Sequence, residues 1–79
     1  MGNLKKYTQV FKDTFSVSED ALEQGYEMED NELWDSVGHI TLIANLETAF
    51  GIEIDIADMA EVISYEKGKE VLARYGVAF

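Results

Sequence analysis

Apolar residues return at helical intervals over most of this chain. Leu4, Tyr7, Val10, Phe11 and Phe15 share one face, with Lys5, Lys6, Lys12 and Asp13 on the other. The spacing predicts a first helix over residues 4–15, with Asn3 as its cap. Beyond Phe15 the period fails. Val17, Ala21, Leu22, Tyr26 and Met28 keep no clean spacing, and Gly25 interrupts them. Glu27, Glu29, Asp30 and Glu32 then make an acidic stretch. One helical turn is expected over residues 18–23 within a loop running from 16 to 35. Unanchored connections of that length are uncommon in small domains, so Val17, Leu22, Met28, Leu33 and Trp34 are the expected anchors.

The period returns at Ser36 and holds to Phe50, with Gly51 placed to end the helix. Asp35 is a strong N-cap type, which leaves Ser36 in the first turn, where backbone N–H groups have no intrahelical acceptor. This second helix carries more apolar residues than one core stripe requires. His39, Leu42, Ile43, Leu46, Ala49 and Phe50 cover a broad face, while Val37, Ile40 and Ala44 form a narrower line elsewhere. The extra line either packs beneath the loop or is left for a partner.

Ile52-Glu53-Ile54-Asp55-Ile56 alternates like a strand. With no second strand to pair, it is expected to be an extended connector with its isoleucines pinned inward. A short helix is expected over 58–62, with Met59 and Val62 inward. Ser64 then caps a last helix over 65–75, whose inward line is Tyr65, Gly68, Val71, Leu72 and Tyr75. Gly76 follows as a left-handed cap, and Val77 to Phe79 form a short tail. The predicted fold is all-α: a small bundle of three main helices plus one short helix, with a long loop between the first and second. The 79 residues allow a single domain, and the short connectors favour neighbouring antiparallel helices.

Charge changes the picture more than composition does. The net charge is −10, and between Asp13 and Glu66 there is no Lys or Arg. Such a surface repels nucleic-acid phosphates and anionic lipid and attracts basic protein patches. The absence of cysteine removes disulfide and thiol chemistry from the chain's own side chains. No apolar h-region follows the charged start, Lys6 stands where a myristoylation motif needs Ser or Thr, and no run is long enough to span a membrane. A soluble, monomeric, cytoplasmic protein without membrane insertion is the expectation.

Candidate chemistry is sparse. Ser36 and His39 lie three residues apart on one helix, but no nucleophile elbow surrounds the serine and no third group orients the histidine. Asp55 with Asp58, or the acids from Glu27 to Glu32, would attract a divalent ion only loosely. The ordered calcium-loop pattern is absent, and so is any zinc ligand set. A phosphate attached to the Ser36 hydroxyl, by contrast, would sit at the positive end of the helix dipole.

Asp35-Ser36-Val37 at a helix start, followed by Leu42, Leu46, Glu47 and Phe50, then Ile52-Glu53-Ile54 and Ser64-Tyr65, resembles an acyl carrier protein over nearly the whole chain. The resemblance implies that Ser36 carries 4′-phosphopantetheine, attached by a phosphopantetheinyl transferase from coenzyme A. Asp35 belongs to that motif. It also implies that acyl groups ride on the imported thiol as thioesters, so the carrier catalyses nothing itself and serves biosynthesis of fatty acids, polyketides or related compounds. Val37, Ile40, Thr41, Ala44, Glu47 and Thr48 would face partners, namely the transferase and acyl-transferring synthases or ligases with basic docking patches. Gly38, Thr41 and Thr48 stand where fatty-acid carriers usually have acids. Together with Trp34 and Gly38-His39, they make the chain look more like a specialised standalone carrier. The alternatives are an aminoacyl or peptidyl carrier, and an acidic helical interaction domain with no prosthetic group.

Overall fold

The first helical pattern becomes α1 (Asn3–Phe15) in the computed structural model, which describes residues 2–79. Tyr7, Phe11 and Phe15 are buried along its inner face together with Thr8. The N-cap is Gly2 rather than Asn3. Asn3 is already helical, and its Nδ2 donates across the fold to the carbonyl of Ala78 at 3.0 Å. Leu4 is exposed despite its register, because it lies on the first turn beyond the reach of the core. Ser16 closes the helix in the left-handed region, at φ 56°, and its N–H returns to the Lys12 carbonyl.

The loop after α1 is pinned throughout its length. Ser18 Oγ accepts from the Ala21 N–H and caps α2 (Glu19–Glu23), which buries Leu22. A 3-10 turn follows at Met28–Asp30. Two backbone bonds tie this loop to the start of the last helix: Met28 N–H to the Ile63 carbonyl at 2.9 Å, and Tyr65 N–H to the Tyr26 carbonyl at 2.8 Å. Tyr26 and Trp34 are the aromatic anchors, with Leu22 beside them. Leu33, expected as an anchor, is exposed instead. Burying Trp34 turns its neighbour outward, and Tyr26, which carried no periodic signal, takes the inner place.

The second long pattern forms α3 (Ser36–Phe50), capped by Asp35 and ended by Gly51 at φ 64°. It runs antiparallel to α1: Lys6 Nζ reaches the Ala49 carbonyl at one end, while Phe15 meets Gly38 at the other. The connector after it is extended, as expected, with Ile54 buried and Ile52 half-buried. Ile56 is not pinned inward. Asp55 takes the N-cap position, so Ile56 opens α4 (Ile56–Met59) on its solvent side, and the short helix starts and ends earlier than its expected 58–62. Val62 is fully buried in the turn that follows.

α5 (Tyr65–Ala73) is capped by Ser64 Oγ accepting from the Lys67 N–H, and it buries Tyr65, Gly68, Val71 and Leu72. It stops two residues before its expected end, since Arg74–Gly76 close as turns with Gly76 at φ 86°. Gly68 is required by contact: a Cβ there would lie 2.1 Å from the Tyr7 hydroxyl. That hydroxyl donates to the Tyr65 carbonyl at 2.6 Å, and the Tyr65 hydroxyl pairs with Thr8 Oγ1 at 2.7 Å. The tail docks through Val77, which is buried, and through Phe79, whose ring packs edge-on against Tyr7. The described residues are 63% helical, counting the 3-10 turn with the five α-helices, and include no strand. Their radius of gyration, 11.3 Å, is close to the ~12 Å of a fully packed chain of this length.

Candidate functional site

The geometry around Ser36 begins with its neighbour. Asp35 is extended, at φ −94° and ψ −166°, and its Oδ1 accepts the Gly38 N–H at 2.8 Å while its carbonyl accepts the His39 N–H at 2.8 Å. A cap of this kind contributes about 1 kcal/mol to the helix. Ser36 is therefore the first helical residue, and it is exposed. The Ser36 and Val37 N–H groups belong to the orphan donors of the first turn, which favour an anionic group nearby.

Gly38 explains how the helix start is held against the loop. A Cβ at this position would meet the Leu33 carbonyl oxygen at 2.2 Å and the Phe15 ring at 3.2 Å. The loop backbone thus presses directly on the first turn of α3, and only glycine leaves room. Helix propensity alone makes Gly38 a cost of up to ~1 kcal/mol relative to alanine; the close approach is what that cost secures.

Beneath the site, Trp34 is only 2% exposed and sits among Phe11, Phe15 and Tyr26, stacked on Tyr26 at 5.6 Å between ring centroids. Its Nε1–H donates to His39 Nδ1 at 2.9 Å. With Nδ1 accepting, the proton of a neutral imidazole lies on Nε2, which faces the Met59 carbonyl at 2.8 Å. One hydrogen-bonded chain therefore runs from the loop through α3 to α4. Both imidazole nitrogens are engaged, so His39 supplies no base to Ser36. Breaking such a bond and leaving a buried partner unpaired costs about 1–3 kcal/mol.

The fourth helix is held mostly from outside. Arg74 Nη1 and Nη2 pair with Asp58 Oδ1 and Glu61 Oε1, each at 2.8 Å. The Tyr75 hydroxyl donates to Asp58 Oδ2 at 2.5 Å and accepts the Asp55 N–H at 2.9 Å. The hydrogen bond from Arg74 lowers the Glu61 carboxyl below its ordinary value, and the bond to Asp58 raises the Tyr75 phenol. Asp58 is thus already committed to two partners, which leaves it little capacity to share a cation with Asp55. Burial raises the phenol of Tyr26.

The outer face of α3 resolves the question of the surplus apolar line. Val37 and Ile40 are 72% and 69% exposed, and Thr41, Ala44 and Thr48 are exposed beside them. None of them packs beneath the loop. Thr41 Oγ1 donates back to the Val37 carbonyl. Glu47 differs from its neighbours: it is half-buried, and its Oε2 accepts the Ile54 N–H at 2.8 Å, so it braces the connector to α4 instead of standing free on the surface. Leu33, Ile56 and Ile63 are further exposed apolar residues. Sequence reading missed Tyr26, the steric role of Gly38 and the bridging role of His39. For His39, a Trp five residues before a His at a helix start was the available signal.

A shallow groove of about 560 Å³ lies alongside Ser36, lined also by Asp35, Trp34, His39, Ile40 and Met28. No protein-family model matches the chain, and no curated protein or solved structure matches it.

Proposed function

We propose that this protein is an acyl carrier: a transferase moves 4′-phosphopantetheine from coenzyme A to the Ser36 hydroxyl with release of adenosine 3′,5′-bisphosphate, and acyl groups ride on the thiol of that arm. The observation that carries the reading is the exposed Ser36 on an Asp35-capped helix start, flanked by Val37 and Ile40 held in water. A phosphodiester on Ser36 would lie against the orphan N–H groups of α3. The engagement of both His39 nitrogens leaves Ser36 without the base that a hydrolytic nucleophile needs, which favours a serine modified by a separate enzyme over one activated by this chain's own groups. Such a carrier catalyses nothing itself and works in the cytoplasm in fatty acid, polyketide or related biosynthesis. Val37, Ile40, Thr41, Ala44 and Thr48 form its landing surface, and the basic patches of acyl-transferring partners are drawn by the surrounding acids.

Intact mass tests the reading. Treatment with a phosphopantetheinyl transferase, coenzyme A and magnesium should add one phosphopantetheine to the protein. Ser36→Ala should abolish the gain entirely while keeping the helical circular-dichroism signal. A wild-type protein that gains nothing would instead be an acidic interaction domain. Loading by amino-acid ligases but not fatty-acyl ligases would make it an aminoacyl or peptidyl carrier.

A further inference from the structure

An apolar acyl group tethered at Ser36 can leave water in two directions, inward between α3 and α4 or outward along the loop. The inward route passes Trp34 and His39. An acyl chain entering there must part Trp34 from His39 and His39 from the Met59 carbonyl. It must also displace a ring that is stacked on Tyr26 and packed against Phe15. These are stiff rings bound by directed bonds, and they do not yield as a cluster of aliphatic side chains does.

The outward route is open. Met28 lines both the groove beside Ser36 and a second recess of about 510 Å³, which is lined also by Ile63, Glu27 and Glu29. The apolar side chains along the two are Trp34, Met28, Ile40 and Ile63, with Met28 adaptable in shape. The charges on their margin are all negative: Asp35, Glu27 and Glu29. Such a margin repels a cargo bearing a free carboxylate. We infer that an uncharged, apolar acyl group carried on Ser36 rests in this outer groove against Met28, Ile40 and Ile63, and that the Trp34–His39–Met59 chain keeps it out of the bundle interior. The inference rests on the carrier reading and adds to it the class of cargo and the place where the cargo lies.

The test uses the full chain labelled with ¹⁵N, first converted to the phosphopantetheine form and verified by mass, then loaded separately with butyryl, dodecanoyl and malonyl groups. Leu46 and Leu72 are fully buried and line neither recess, so their amides report the inward route. Butyryl and dodecanoyl should shift the amides of Met28, Ile40 and Ile63 while the amides of Leu46 and Leu72 stay in place. Malonyl should leave the groove amides unmoved. In Ile63→Glu, loading should give the same gain in mass, but the acyl-induced shift at Met28 should be lost. Dodecanoyl shifts at Leu46 and Leu72 would overturn the closed interior. Unmoved groove amides, or equal shifts with malonyl, would overturn the resting site. A protein that gains no mass with the transferase overturns the carrier reading itself, before any acyl group is attached.

Discussion

The two apolar faces of α3 carry similar side chains and meet opposite environments. On the inner face Leu42, Ile43 and Leu46 are at most 3% exposed, while on the outer face Val37 and Ile40 remain mostly in water. Each inner residue contributes about 1.5–3 kcal/mol by burial. The outer two contribute almost nothing to folding and raise the risk of association. A helix needs one stripe to dock, so the second stripe answers to something other than the fold. Under the proposed carrier function, its position beside Ser36, in a stretch free of Lys and Arg from Asp13 to Glu66, makes it the landing surface.

The largest effect that would break this comparison is on the inner face. Leu46→Ala should cost about 2–5 kcal/mol in urea unfolding, a large part of the stability of so small a domain. Ile40→Ala should change stability by less than about 0.5 kcal/mol. Ile40→Glu should preserve the helical signal yet slow modification by the transferase. Equal losses of stability in Leu46→Ala and Ile40→Ala would place Ile40 in the core and erase the distinction between the faces.

That distinction was only half visible in the sequence. Periodicity separates two lines on α3, because a helix with residues at i, i+3 and i+7 off the main stripe is recognisable from spacing alone. It does not say which line the loop covers. The three main helices and the caps at Asp35 and Ser64 follow from local chemistry, and they agree with the fold for that reason; the cap expected at Asn3 lies one residue earlier, at Gly2. The misassigned residues lie where no period exists. Leu33 and Tyr26 exchanged roles because the loop is arranged by the large Trp34 ring, whose burial fixes what its neighbours face. Ile56 turned outward because Asp55 started a helix within an alternating run. Gly38 looked like a defect of propensity, since the carbonyl that requires it comes from Leu33, a contact defined by backbone position.

Gly38 offers the next sharpest probe, because it joins the two faces to the loop. Gly38→Ala sets a methyl against the Leu33 carbonyl, a backbone atom that cannot rotate away. Overpacking of this kind costs about 1–3 kcal/mol, more than the helix-propensity gain of up to ~1 kcal/mol. The variant should therefore be less stable in thermal unfolding even though alanine is the better helix former. It should also slow modification of Ser36, because the helix start is displaced. A stabilised Gly38→Ala would show that the loop does not press on α3 and that propensity alone governs the site.

The smallest effect concerns α4, which has no fully buried residue and depends on its polar holds. Arg74 lowers the Glu61 carboxyl, so the folded state favours the ionised form more than the unfolded chain does. A depressed carboxyl contributes stability above its unfolded value, and that contribution disappears as pH falls through the folded value. Wild type should then be slightly more stable than Glu61→Gln near neutral pH, and the two should converge below about pH 4, where carboxylates protonate. Both groups are exposed, so salt should narrow the difference as acid does. Urea midpoints measured across pH at low and high salt give the comparison directly. A gap that persists in acid would mean that Glu61 holds α4 by packing. In that case the fourth helix belongs with the inner face of α3, held by contact and by the His39 bond to the Met59 carbonyl more than by charges at the surface.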